Sequence, residues 1–121
     1  MRLAPLLATT PLLVVFSLAS AAAEQGASEE QFEAMAATLR ARDSERLSTI
    51  ATCIELGVGS DPSGIAEFLG VPVEKAARAW CVRMTEGIAN GKLHLVDING
   101  LQEGTVTPAA RSVMTTVSEG E

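Results

Sequence analysis

Apolar residues recur at three- and four-residue steps along most of the chain, which is the spacing of one face of an α-helix. The clearest stripes are Phe32-Met35-Ala36-Leu39, Leu47-Ile50-Cys53-Ile54, Val73-Ala77-Trp80-Cys81-Met84-Ile88 and Ala110-Val113-Met114-Val117. Each stripe is long enough for two or more helical turns. The spacing predicts an all-α fold, a small bundle of about four helices.

Turn-forming residues divide this pattern. The segment from Gly57 to Gly64 combines glycine, proline and small polar residues, and it is the clearest turn in the chain. Upstream of it, the charged run from Arg40 to Arg46 either continues the first helix or marks a break, with Asp43 or Ser44 capping a second helix. One long helix ending at Leu56 is slightly favoured.

The pattern weakens after residue 90. Asn90-Gly91 predicts a left-handed helix cap, and Thr107-Pro108 predicts an N-cap followed by proline at the first helical position. Residues 92–98 fit either a short extended stretch or another helical turn, and Asn99-Gly100 predicts a turn. The tail from Ser118 to Glu121 is expected to fray.

The first residues have the three parts of a signal peptide. Arg2 supplies a positive start, an apolar run follows, and Ala21-Ala22-Ala23 offers a cleavage site. The alternative is an uncleaved membrane anchor, but the apolar run is shorter than the roughly 18 to 20 residues that span a bilayer. We expect residues 1–23 to be removed, leaving residues 24–121 as a single helical domain with frayed ends. The mature chain would then be periplasmic or secreted, without stable membrane insertion.

The mature chain is acidic and poor in aromatic residues. Residues 24–121 carry eight basic and fifteen acidic side chains, a net charge of −7. This charge repels nucleic-acid phosphates and anionic lipids, and it favours a basic protein partner. Phe32, Phe68 and Trp80 are the aromatic residues of this part. Because so small a core is marginal, we expect an additional constraint.

Cys53 and Cys81 are the only cysteines of the chain, and both lie on apolar stripes. Two helices that pack through those stripes bring both sulfurs into one interface, and export places them in an oxidising compartment. The sequence therefore predicts a Cys53–Cys81 disulfide. Free thiols and a redox-active pair are the alternatives, although a redox pair usually has the closer spacing of a C-x-x-C motif.

The segment from Ile65 to Arg78 resembles the helix-turn-helix of DNA-binding proteins, with an early alanine in the first helix and Gly70 in the turn. This resemblance implies a recognition helix that begins near Val73. Glu74 at its start, the acidic charge and the signal peptide all oppose DNA binding. DNA binding remains an alternative if the N-terminus is not an export signal.

Two further segments resemble exported helical proteins. Residues 80–88, Trp-Cys-Val-Arg-Met-Thr-Glu-Gly-Ile, resemble the Cys-to-Gly helix of small periplasmic immunity proteins, from which no residue role is carried over. Thr105-Val106-Thr107-Pro108-Ala109 is similar to a stretch of the enterobacterial acid-stress chaperones. These resemblances imply an envelope protein that acts by binding.

Few residues suggest a catalytic, metal-binding or cofactor-binding role. His94 is the only histidine, and neither Asp97 nor Glu103 stands at a recognised metal-ligand spacing from it. No nucleophile or phosphate-loop motif is present. Trp80 is expected in the core, with a partner anchor as the alternative. We therefore expect no catalytic, cofactor or metal site.

These observations predict a non-enzymatic binding protein of the bacterial envelope, of inhibitor or immunity type, whose partner protein is unknown. A periplasmic stress chaperone is the first alternative.

Overall fold

The computed structural model describes residues 28–121, and every regular element within them is helical. The predicted signal peptide lies outside the described residues. The elements are α1 (residues 28–41), α2 (Asp43–Leu56), α3 (Pro62–Leu69), a 3₁₀ turn (Val73–Lys75), α4 (Ala76–Ala89), α5 (Leu95–Gln102) and α6 (Pro108–Met114). The predicted all-α bundle is confirmed. In this part of the chain no helix is long and apolar enough to cross a membrane.

Helix α4 is the centre of the compact unit that extends from Phe32 to Glu121. Helices α2, α3 and α6 all pack against it. Because it is covered from several sides, α4 buries nine of its 14 residues, including Ala76, Ala79 and Gly87. Small side chains let neighbouring elements approach the helix closely: a Cβ placed on Gly87 would lie 2.8 Å from carbon atoms of Leu93 and Val113.

The main core collects apolar side chains from α1, α3, α4, α6 and the turn before α5. Its buried members are Phe32, Ala36, Leu39, Leu69, Ala79, Ile88, Ala89, Leu93, Ala110 and Met114. A second, smaller cluster of Ile50, Cys81 and Val82 lies between α2 and α4. The half-buried ring of Trp80 packs against both clusters.

The single helix that was favoured for the region up to Leu56 is wrong, because the chain breaks at Arg42. This residue is extended, with φ −128° and ψ 109°. Arg46 makes the break possible, since its guanidinium donates hydrogen bonds to the carbonyl oxygens of Leu39 and Arg40 at 2.7 and 3.2 Å. It thereby satisfies carbonyls that a helix end leaves unpaired. Arg46 also pairs with Asp43 in the first turn of α2.

The turn predicted at Asn99-Gly100 is also wrong, because both residues belong to α5. The returning chain packs tightly on Gly100: a Cβ there would lie 2.7 Å from the carbonyl oxygen of Thr105. Glycine at this position therefore permits a close approach rather than a change of direction. The break at Arg42 and the presence of α5 raise the number of described helices from the expected four to six.

The predicted caps of α4 and α6 are confirmed, whereas the turn predicted from Gly57 to Gly64 ends at Asp61, because Asp61 caps α3 and Pro62 is its first residue. Thr107 is the N-cap of α6, where its hydroxyl accepts a hydrogen bond from the Ala110 amide at 3.1 Å, and Pro108 is the first helical residue. Asn90 ends α4, and Gly91 follows with φ +74°, a conformation that glycine adopts readily.

Candidate functional site

The predicted Cys53–Cys81 disulfide is present and links α2 to α4, with a Cα–Cα distance of 5.7 Å. Cys81 is fully buried, whereas Cys53 is half-buried. Among the 14 residues of α2, only Ile50 is buried. The disulfide therefore secures a helix that has little apolar burial of its own.

Helix α2 exposes two large apolar side chains, Leu47 and Leu56, which lie on opposite sides of the helix because they are nine residues apart. The exposed fractions of Leu47 and Leu56 are 67% and 82%. Leu47 borders a groove of about 200 Å³ between α2 and α4, which is lined by Leu47, Ile50, Ala51, Arg78, Val82, Glu86, Glu119 and Gly120. The groove thus has an apolar floor and charged edges.

Arg83 is the most unusual residue of the core. It lies in the middle of α4 and is only 1% exposed. Its Nη1 donates hydrogen bonds to the carbonyl oxygens of Leu69, at 2.8 Å, and of Met114, at 2.7 Å. These two carbonyls stand at the C-terminal ends of α3 and α6. Arg83 therefore joins three helices through one buried side chain.

The other edge of the Arg83 guanidinium binds residues 115–121, which we call the strap. Its Nε and Nη2 donate to the two carboxylate oxygens of Glu121 at 2.8 and 3.0 Å. Arg78 adds a bond from its Nη2 to the carbonyl oxygen of Gly120 at 2.7 Å. The tail from Ser118 to Glu121, which we expected to fray, instead lies against α4.

Burial alone would raise the pKa of Glu121. The hydrogen bonds from Arg83 and from the Ser118 amide, together with the positive charge of Arg83 and Arg78, outweigh burial and lower the pKa. The carboxylate is therefore ionised in neutral solution, and its bidentate contact with a guanidinium is the strong form of such a pair.

The sequence analysis missed Arg83 because it lies outside the apolar stripe that contains Cys81. A signal was present on the face of Arg83 itself, where Ala76 and Ala79 lie seven and four residues before it and Gly87 lies four residues after it. Small residues at helical spacing indicate that neighbouring elements pack closely there. An arginine within such a face needs buried partners, since an unpaired buried charge is very costly.

A second buried carboxylate connects α5 with α6. Asp97 is 5% exposed and accepts hydrogen bonds from the Thr107 hydroxyl at 2.6 Å and from the His94 amide at 2.8 Å. The hydrogen bond from Thr107 is the largest influence and lowers the pKa of Asp97. Burial raises this pKa, whereas the hydrogen bond from the His94 amide and the charge of His94 lower it. This network holds the starts of both helices together.

The remaining candidate residues have less distinctive surroundings. The His94 side chain is 60% exposed, and its Nδ1 lies 3.8 Å from an Asp97 carboxylate oxygen. Within residues 28–121, no group of three or more His, Cys, Asp or Glu side chains is placed to hold a metal ion. Trp80 is half-buried between the two apolar clusters and does not line the groove beside Leu47.

The segment that resembles a helix-turn-helix does form two helices, α3 and α4, joined by a turn and the 3₁₀ element. A recognition helix must expose one face in order to enter the major groove. Helix α4 is instead enclosed by α2, α3 and α6, and Arg78 is its only fully exposed residue. This geometry opposes the DNA-binding alternative.

Models of known protein families, characterised proteins and solved structures were all compared with this chain, and none matches it.

Proposed function

We propose that the protein is an exported, non-enzymatic binding protein of the bacterial envelope, of inhibitor or immunity type, which recognises a basic partner through the side of α2 that carries Leu47 and borders the groove with α4. The observation that carries this proposal is Leu47, which is 67% exposed on a helix fixed by a disulfide. An exposed leucine on a rigid helix is a natural anchor for a partner protein, because little conformational freedom is lost when the partner binds.

The charges around Leu47 support a basic partner. Glu86 and Glu119 line the same groove, and the guanidinium of Arg78 at its edge is already bonded to the Gly120 carbonyl. Glu55 lies eight residues after Leu47 on α2, so the two residues share a face of the helix. Together with the net charge of −7 expected for residues 24–121, these carboxylates favour fast association with a cationic protein such as a cell-wall hydrolase.

Export is part of the proposal. The disulfide supports it, because disulfides persist mainly in oxidising compartments such as the periplasm. Intact-mass analysis of protein from the native host tests it directly. Removal of residues 1–23 together with an oxidised cysteine pair is the expected result. Full-length protein in the cytosol with reduced thiols would overturn the export step.

Capture from envelope extracts tests the binding step. Immobilised residues 24–121 are expected to retain a basic envelope protein in a defined ratio, and Leu47→Asp should abolish its retention. Leu56→Asp is the matched control, since it adds the same charge at another exposed leucine of α2. If the wild type retains nothing above a charge-matched control protein, or if both variants bind equally well, the proposed role of α2 is wrong.

A stress chaperone is the second candidate, and the buried carboxylates favour it. Asp97 holds α5 to α6 and Glu121 holds the strap to α4, so protonation of both loosens the fold as the pH falls. A chaperone should then expose apolar surface and bind an apolar dye between about pH 7 and about pH 3. Absence of any dye signal over this range would remove the chaperone, whereas an inhibitor should stay folded.

A further inference from the structure

The strap borders all three grooves described on the surface of α4. The first groove adjoins Thr116 and Val117, the second Val117 and Glu121, and the third Glu119 and Gly120. The residues of α4 that line them are Arg78, Ala79, Val82, Arg83, Glu86 and Gly87. They form two neighbouring rows with four-residue spacing, Arg78-Val82-Glu86 and Ala79-Arg83-Gly87, along one side of the helix. The strap runs along this side, and we call the surface that it covers, formed by Arg78, Ala79 and Arg83 together with Val71 and Pro72, the trough.

Two arginines of the trough form hydrogen bonds with the strap. Arg83 receives the Glu121 carboxylate through two parallel hydrogen bonds, and Arg78 receives the backbone carbonyl of the preceding residue, Gly120. The orientation of Arg83 does not depend on the strap alone, because its Nη1 is held by the carbonyls of Leu69 and Met114. The guanidinium edge that faces the strap is thus positioned in advance for a carboxylate.

The apolar part of the trough is poorly filled by the strap. A groove of about 440 Å³ has apolar lining from Val71, Pro72, Ala79 and Val117 and charged lining from Glu74, Lys75, Arg78 and Glu121. Val117 nevertheless remains 75% exposed. Val117 lies four residues before the Glu121 carboxylate. A larger apolar side chain at the same distance from a carboxylate would bury itself in the part of this groove that Val117 leaves unfilled.

We propose that this trough is a binding site for an acidic segment of another protein, and that the strap is an internal ligand that competes for it. The segment would place a Glu or Asp carboxylate on Arg83, the preceding carbonyl on Arg78, and a large apolar side chain against Val71 and Pro72. This goes beyond the function proposed above, because its ligand is acidic and its polar contacts are to Arg83 and Arg78, not to the side of α2 that carries Leu47.

A peptide with the sequence of the strap tests the proposal in trans. The probe is a fluorescently labelled Thr-Thr-Val-Ser-Glu-Gly-Glu peptide with an amidated end, and its binding to residues 24–121 is followed by fluorescence anisotropy. In Glu121→Ala the internal carboxylate is lost, so this variant should bind the peptide at least about tenfold more tightly than the wild type. A peptide with phenylalanine in place of its valine should bind more tightly still.

Three controls make the result specific. Glu119→Ala removes the same charge from the strap but leaves the pair with Arg83, so it should bind the peptide like the wild type. A peptide that ends in Gln instead of Glu should lose about tenfold in affinity, because it forms no charged pair with Arg83. Leu56→Asp should leave peptide binding unchanged, because Leu56 is an exposed leucine that lines none of these three grooves.

Two results overturn the proposal: equal peptide affinity of Glu121→Ala and the wild type, or equal affinity of the Glu-ended and Gln-ended peptides for Glu121→Ala. If Glu121→Ala does not fold, Glu121→Gln replaces it, since its amide oxygen still accepts one bond from Arg83. The wild-type chain gives an independent measurement through the Nε–H resonance of Arg83 in a nitrogen-edited spectrum. This resonance should shift as the phenylalanine peptide is added, and its failure to shift at saturating peptide counts against the site.

Discussion

Helix α2 and the strap are both attached to α4, but by different chemistry. The attachment of α2 is covalent, through Cys53–Cys81, and Ile50 is the only residue that this helix buries. The attachment of the strap is ionic, through the bidentate pair between Arg83 and Glu121. Neither segment has enough apolar burial to explain its position, and each uses a specific bond instead.

This difference determines which conditions loosen each segment. A disulfide stabilises mainly by restricting the unfolded chain, so its contribution persists in acid and is lost on reduction. A buried ion pair is strongly destabilising when one partner is removed, because the other charge stays behind without compensation. We therefore expect reduction to release α2 and acid to release the strap.

Arg83→Ala is expected to have the largest effect on stability. It leaves the Leu69 and Met114 carbonyls without their donor, removes the partner of Glu121 and opens a cavity inside α4. We expect the free energy of unfolding to fall by about 4 kcal/mol in urea titration, because two buried carbonyls lose their hydrogen bonds and a large buried side chain is lost.

Arg78→Ala is the matched control for this variant. Arg78 is exposed and makes one bond to the Gly120 carbonyl, so its loss should cost only about 1 kcal/mol. If the two variants are equally stable, the central role of Arg83 is refuted.

Removal of the disulfide should have the next largest effect. In the double variant Cys53→Ala/Cys81→Ala, the free energy of unfolding should fall by about 3.5 kcal/mol, given a sequence separation of 28 residues. Hydrogen exchange should accelerate first in the amides of α2, while those of α5 and α6 keep their protection. Uniform loss of protection would show that the two attachments are coupled.

The all-α class, the disulfide and the caps of α4 and α6 were predictable because each depends on local sequence or on a pattern of fixed period. The stripes of α2 and α4 placed Cys53 and Cys81 on buried faces, and the Thr107-Pro108 and Asn90-Gly91 pairs marked helix ends. Such features need no knowledge of distant contacts.

The errors all concern contacts that the apolar pattern of a single helix does not show, whether the partners are a few residues apart or far apart in sequence. The break at Arg42 depends on the way Arg46 reaches back to carbonyls of α1, and the helical state of Gly100 depends on the later approach of Thr105. The docked strap depends on a pair 38 residues apart, Arg83 and Glu121. Local propensity contains no information about such partners, so the candidate site was the least predictable part of the chain.

The pH dependence of stability should be smaller than the first two effects. The pKa values of Glu121 and Asp97 are lowered in the folded protein. Each carboxylate therefore contributes stability above its unfolded pKa, near 4, and loses it as the pH falls through the folded pKa. We expect urea titrations between about pH 7 and about pH 3 to show a progressive loss of stability as the two carboxylates are protonated.

Substitution of the carboxylates separates the two contributions. Glu121→Gln should remove the contribution of Glu121 to the pH profile and weaken the attachment of the strap, while the contacts of α2 stay intact. Glu119→Gln, at an exposed acid of the same strap, should leave the profile unchanged. If both variants have the same profile as the wild type, the carboxylate of Glu121 does not hold the strap.

The smallest effect is expected from Leu47→Ser. Leu47 is 67% exposed, so the substitution removes little buried apolar area, and the free energy of unfolding should change by less than about 0.5 kcal/mol. Leu56→Ser, at the more exposed leucine of α2, provides the baseline in the same urea titration. A loss above about 1 kcal/mol for Leu47→Ser alone would show that apolar packing on α4 helps to hold α2, and that the disulfide is not its main attachment. If Leu47→Ser keeps the stability of the wild type but no longer captures the partner, Leu47 contributes to binding and not to the stability of the fold.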